Sequence, residues 1–483
     1  MTRILTAVIL LSASLAAIAG SRADAVAPDF RVGAAVVDIS PSRLVDLETQ
    51  QVCLGGFGIG CSRPAVGERE PLYARALVIE SQGSKVVIAT SSNIGLFAKY
   101  KDPFGLVGAY DIRLAAAQAT GIPSTSMIIT SDHSHSSPDV NGIWGGVDDE
   151  YLRKHATALV RAIYEADRAL EPAHLYVGAT TYDEPEPDAL KNHWDGTGSV
   201  LDQIDREFRV LQARRRGDDR VIATLVNFSP HASILDGDDG RASGDWTGVF
   251  GNRLAEQRGG VGIAMVGALG GIGADLPDAR FDEFVDLVDG LTDQALAAAT
   301  KLEVGGVGSQ MVFIREPVTA PLLLTNLVPL SAQDEGNVLE ASIDRSTSPP
   351  WNSAGVMGTY VSAIRIGDVL IGGPPGEAYP ETSFALSRDV QAREHFIFGL
   401  SNDQIGYLVA PFEGVTTTAG NGALYPVMGN DNFALSVNPL VGDHVTCSLL
   451  DLARGLGFQT AEESTRCIAL TADDGLAPPT EVP

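Results

Sequence analysis

This sequence predicts an α/β fold with a mixed β-sheet core flanked by helices, and three observations carry that prediction. Apolar runs of strand length alternate with stretches of helical periodicity. One segment, "SAIRIGDVLIGG", has the form of a hairpin turning at Gly367-Asp368. Several of the strands also run directly into short polar loops, the arrangement that puts sites at strand ends in α/β sheets.

Taken in order, "FRVGAAVVDIS", "ARALVIE" and "KVVIATSSN" read as the first strands. "GAYDIRLAAAQATG" is helical over 108–121 and stops at Gly121-Ile122-Pro123. After the strand "SMIIT", the stretch "DEYLRKHATALVRAIYEADRAL" begins a second helix near Asp149. "VIATLVNFS" and "GIAMVGA" follow as strands, and "DEFVDLVDGLTDQALAAATKL" as a third helix. "MVFIRE", the hairpin and "HFIFGLSN" complete the strand set.

The first 25 residues have a basic start at Arg3, an apolar run from Ile4 to Ala19, and small-residue cleavage patterns ending at Ala19 and Ala25. They read as a secretory signal, too short in its apolar run for a membrane span. The expected mature chain, 26–483, is then periplasmic or extracellular, with no transmembrane segment. Four cysteines fall as two local pairs, Cys53 with Cys61 and Cys447 with Cys467. Proximity favours these as disulfides, which an oxidising compartment permits. The formal charge of −27 comes without a Lys/Arg cluster, which argues against nucleic acid as a partner; "RRR" at 214–216 reads as a solvated turn. No linker, repeat or low-complexity block divides the chain, and its oligomeric state is not legible.

Four strand ends carry the chemistry: "IIT" into "SDHSHS", "LVNF" into "SPHAS", "VLIGG" into "PPGE", and "IFGL" into "SNDQIGY". Only eight histidines occur in the chain, so His133 and His135 two apart are conspicuous. They read either as ligands or as ordinary loop histidines. Asp132 or Asp139 is placed to orient a ring nitrogen. His231, Glu377 and Tyr407 each have a structural reading as well. Together, His133, His231 and Glu377 form the two-histidine, one-carboxylate set of a catalytic zinc site. Such an ion acidifies bound water and polarises a carbonyl. Tyr407 is a further ligand or an oxyanion donor, and His135 a general acid/base beside the ion. G-x-S-x-G, H-E-x-x-H and P-loop motifs are absent. "GALGGIGAD" is too loosely spaced for a dinucleotide turn, and "LDGDDGRASGD" lacks the glutamate of a calcium loop.

An ordered set of segments resembles the neutral (non-lysosomal) ceramidase family: "VGAAVVDISP", "LYARALVIE", "GIPSTSMIITSDHSHSSPD", "NFSPHAS", "SGDWTG", "PPGE" and "GLSNDQIGYLVAPFE". These cover roughly residues 30 to 415. The resemblance implies one catalytic domain over 26–483 and Zn2+ held by His133, His231, Glu377 and Tyr407. It sets His135 beside the ion and makes "SGDW" part of the pattern, with Asp245 orienting His231 or shaping the pocket. The implied reaction is attack of metal-activated water on a carbonyl, with a small-molecule or lipid-like substrate. Two departures stand out. Gly273, in "GALGGIGADLPD", takes the place of the family's signature serine. The chain also ends too soon after Tyr407 for the β-sandwich that follows the family's catalytic domain. The expected function is therefore a secreted zinc-dependent hydrolase of amide (N-acyl) or ester bonds, with a substrate other than ceramide allowed. A non-catalytic binding protein on the same metal-bearing fold is the alternative, as is a carbohydrate-active enzyme using Trp144 and Trp194 to stack on sugars.

Overall fold

Strands covered on both faces explain why so many of the apolar runs are nearly continuous rather than alternating. The computed structural model describes residues 30–58, 60–100, 107–183, 191–192, 204–274, 276–317, 352–353, 356–409, 416–418, 424–426, 436–438, 440–461 and 467. The expected signal segment and Trp194 lie outside these residues.

The larger sheet contains β1 (Phe30–Asp38), β2 (Tyr73–Ser81), β3 (Ser84–Ser91), β4 (Met127–Ser131), β5 (Glu171–Thr181), β6 (Glu207–Arg215), β7 (Val221–Phe228) and β8 (Val261–Val266). Their order is β8-β7-β6-β5-β1-β2-β3-β4, and the short strand Thr300–Lys301 also pairs with β5. Pairing is parallel in β3–β4 and β7–β8 and antiparallel elsewhere along this path, so the sheet is mixed, as predicted. A second sheet runs β9 (Val307–Pro317), β10 (Val356–Ile366), β11 (Val369–Gly373) and β12 (Glu394–Ile397), with Asn352–Ser353 on β10. The β10–β11 register pairs Ile366 with Val369, which puts the hairpin turn at Gly367-Asp368 as expected.

Side chains alternate faces along a strand, and β2 shows the result. Leu77 and Ile79 enter a core with Ile364, Ile371 and Phe396 of the second sheet, while Ala74, Ala76 and Val78 face the other way. There they meet Ile112 and Ala116 of helix α1 (Ala109–Thr120) and Leu159 and Ile163 of α2 (Asp149–Arg168). Helices α3 (Asp245–Arg258) and α4 (Phe281–Ala298) cover the β6–β8 end through Phe250, Leu254, Phe284 and Val288. On the second sheet, α5 (Pro380–Asp389) and α6 (Val441–Gly455) pack Leu386, Val445 and Leu449 against Val361, Leu370 and Ile397. The layers run helix, sheet, sheet, helix.

Helix ends follow the sequence signals. Gly121 takes a left-handed φ of 75° and returns its N–H to Ala117, ending α1. The third predicted helix is shorter than its periodicity suggests. It stops at Ala298, because Thr300-Lys301 pair with Val177 and Tyr176 at the sheet instead of continuing the helix. Both disulfides join the expected pairs, Cys53–Cys61 and Cys447–Cys467. No described helix is long and apolar enough to cross a membrane.

Candidate metal centre

β4 lies at one edge of the larger sheet and β7 next to the other, yet the loops that follow them meet. The coiling of a long twisted sheet brings its ends together, and two backbone contacts fix the result. Ser134 and Ala232 form a parallel bridge, and His135 N–H donates to the Ala232 carbonyl at 2.8 Å. The second sheet supplies the other wall. Glu377 follows β11 and pairs in parallel register with Tyr407, which follows β12.

His133 occupies left-handed backbone at φ 58°, uncommon for a residue with a Cβ. The turn aims its Nδ1 at the carbonyl of Ile94, 2.6 Å away. His231 Nδ1 lies 2.8 Å from the carbonyl of Ile272, which also accepts the His231 backbone N–H at 3.0 Å. A carbonyl only accepts, so both imidazoles hold a proton on Nδ1 and, when neutral, present a bare Nε2 lone pair. Those two Nε2 atoms converge on one oxygen. Glu377 Oε2 is 3.1 Å from His231 Nε2 and 3.5 Å from His133 Nε2. The other carboxylate oxygen, Oε1, accepts from Gln404 Nε2 at 2.9 Å.

His135 completes a three-histidine cluster whose ligand-capable nitrogens lie within 4.8 Å of one another. Its ring centroid is 5.1 Å from that of His133 and 5.5 Å from that of His231, and its buried Nδ1 has no hydrogen-bond partner. The Tyr407 ring centroid is 6.4 Å from that of His231. Burial alone would push the Glu377 carboxyl up; the two facing histidines outweigh it and hold Glu377 well below its ordinary range. Burial pulls His133 down, and Glu377 more than reverses this. His135 is held well below its ordinary value by burial first and by its histidine neighbours second.

These residues fit a divalent ion. Two imidazole nitrogens and a carboxylate oxygen share one buried point, and His133 Nε2 has no hydrogen-bond partner there. The donor set combines borderline nitrogen with hard oxygen, which suits zinc among other first-row ions.

The structure differs from expectation at the orienting groups. Neither Asp132 nor Asp139 takes the His133 Nδ1 proton, because the left-handed turn at His133 directs that nitrogen to a main-chain carbonyl. Asp132 Oδ1 accepts the N–H groups of Asn93 and Ser134, and the Asp139 carboxylate accepts those of Gly142, Trp144 and Gly146. Asp245, buried at the start of α3, accepts from Leu235 N–H and Trp246 N–H, and Trp246 Nε1 donates to the His231 carbonyl. It is thus tied to the His231 loop rather than to the His231 ring. Gly273 is buried and directly follows Ile272, whose carbonyl holds His231. Gln404, in the "SNDQIGY" loop, reaches Glu377 although a lone amide in a polar loop carries no sequence signal of its own.

The sequence matches no protein-family model and no curated protein. The fold does match solved structures. A neutral ceramidase from Pseudomonas aeruginosa superposes with a TM-score of 0.62 at 15% identity, over 89% of this chain and 74% of that one. A ceramidase complexed with C2 gives a TM-score of 0.64 at 15% identity, over 89% and 75% of the two chains. At this identity the likeness establishes a shared fold.

Proposed function

We propose that the chain is an exported, zinc-dependent hydrolase that cleaves an amide (N-acyl) or ester bond in a small-molecule or lipid-like substrate. The observation that carries this reading is the convergence of the His133 and His231 Nε2 lone pairs on Glu377 Oε2, inside a fold shared with ceramidases. Tyr407, paired with Glu377, is the fourth member of the set. Zinc bound there supplies Lewis acidity, polarising the scissile carbonyl and lowering the pKa of water. The backbone carbonyls of Ile94 and Ile272 fix the ring orientations, and Gln404 fixes the carboxylate. His135, whose buried Nδ1 lies in the histidine cluster without a hydrogen-bond partner, is the group available to accept a proton from the attacking water and return it to the leaving amine or alcohol. Asp245 shapes the pocket through the His231 loop. The two disulfides support the exported assignment.

The deciding measurement is elemental analysis of purified protein together with turnover of an N-acyl amide and ester panel. Stoichiometric zinc, lost in His133→Ala, and turnover lost in parallel are expected. Protein that retains full metal and activity after His133→Ala overturns the reading. Gly273 favours a second reading, a metal-bearing binding protein, because no hydroxyl is available at that buried position. Tight binding of an N-acyl ligand by the zinc-loaded protein, without turnover, would select it.

A further inference from the structure

The loop closed by Cys53–Cys61 leans on the metal centre, and its contacts are unusually close. Gly56, at φ 99°, packs so tightly that a Cβ there would stand 2.4 Å from His135 Cβ. The next residue, Phe57, sets its ring edge-on to the His135 imidazole with 5.0 Å between centroids. It is nevertheless 38% exposed, one of the few large apolar side chains in that state among the described residues.

The buried Arg63 guanidinium fixes this geometry. Its Nη2 donates to the carbonyls of Gly55 at 2.6 Å and Phe57 at 3.2 Å, and its Nη1 to those of His135 at 2.9 Å and Asp236. Its Cζ lies 5.1 Å from the centre of the Phe57 ring. One cation therefore ties together the disulfide loop, the His135 turn and the loop after His231. The backbone around Phe57 is thus held by Arg63, and the ring lies partly exposed beside the imidazole, where an apolar group could cover it.

We propose that residues 53–58, beside the Cys53–Cys61 disulfide, form a wall of the substrate pocket and that Phe57 is a specificity-determining residue, contacting the apolar acyl chain next to the scissile carbonyl. This rests on the hydrolase reading above and adds the part of the substrate that is recognised. The ring gains contact with each added methylene of the acyl chain until its exposed face is covered, so longer chains are preferred over acetyl.

The test compares acetyl, octanoyl and dodecanoyl amides of one fluorogenic amine with wild type, Phe57→Ala, Phe57→Leu and the Cys53→Ser/Cys61→Ser pair. Circular dichroism and zinc content serve as folding controls. In Phe57→Ala the dodecanoyl-over-acetyl ratio of kcat/KM is expected to fall roughly 10- to 100-fold, chiefly through KM. Phe57→Leu should recover part of the preference, and the serine pair should lose it. An unchanged ratio in Phe57→Ala overturns the proposal, as does an equal loss on all three substrates. Calorimetric binding of the uncleaved dodecanoyl amide separates this from the parent reading. Binding that depends on Phe57 without turnover by wild type removes the hydrolase and keeps the wall, whereas binding indifferent to Phe57 removes the wall.

Discussion

Gln404 donates to Glu377 Oε1 and thereby leaves Oε2 as the oxygen facing the histidines. Outer groups of this kind tune metal affinity. Gln404→Leu is accordingly expected to weaken zinc binding about 10- to 100-fold, read by chelator competition, with the circular dichroism spectrum preserved. Unchanged affinity would show that the carboxylate is held by other means. Glu377→Gln should weaken binding further, since it removes the carboxylate charge that faces both rings. At this scale the meeting of His133, His231, Glu377 and Tyr407 was legible in the sequence, because these are scarce or constrained side chains at strand ends. The groups that orient the rings were not legible. Every residue carries a carbonyl, so nothing in the letters marks Ile94 or Ile272, and the acidic neighbours Asp132 and Asp139 were the more visible but incorrect choice.

Among elements, two asparagines add hydrogen bonds to the apolar join between the two sheets. Asn227, at the end of β7, donates to the carbonyls of Met265 and Ile397 and accepts the Ile397 N–H. Asn402 stands in for a missing strand beside β4. It accepts Ile129 N–H at 3.1 Å, donates to the Met127 carbonyl and to Ser362 Oγ, and returns its own N–H to the Ile129 carbonyl. It does so at φ 63°, a conformation asparagine tolerates better than most residues. Asn402→Ala should cost about 2–4 kcal/mol in urea unfolding and reduce zinc affinity as well, because the Tyr407 loop is anchored there. A loss of stability with affinity intact would separate the join from the site. Strands β1–β4 and β7–β12 and helices α1, α2 and α4 were readable from periodicity and stop signals, whereas β5, β6, α3, α5 and α6 were not. The way the elements meet was not readable either, since the contact between the β4 and β7 loops follows from the coil of the whole sheet.

At the scale of the whole molecule, two buried acids away from the Glu377 carboxylate share one response to pH. Burial, only partly offset by hydrogen bonds, raises Asp245 from 3.8 to about 7 and Asp403 from 3.8 to about 6. The folded chain therefore keeps protons that the unfolded chain releases. Stability from these groups is fully present below about pH 4 and is lost as pH rises through about 6 and then about 7. Asp403 accepts N–H from Ala98 and Gln404 on Oδ1 and the Thr359 hydroxyl on Oδ2, so an amide fits if the threonine turns to accept. Asp403→Asn should flatten the decline between about pH 4 and 6 and raise stability near neutrality by roughly 2–3 kcal/mol, measured as urea midpoints across the pH range. An undiminished decline in the variant would refute the assignment. The meeting of loops from both sheets also has a temporal consequence. Residues 133, 231, 377 and 407 come together only after long chain closures, which are slow steps in folding. On the zinc reading proposed above, a nascent or partly folded chain lacks the complete donor set, and the ion would be the last component to arrive. Held there, it would bridge two halves made far apart in the chain, and its removal should loosen the molecule along the seam between the sheets before either sheet melts.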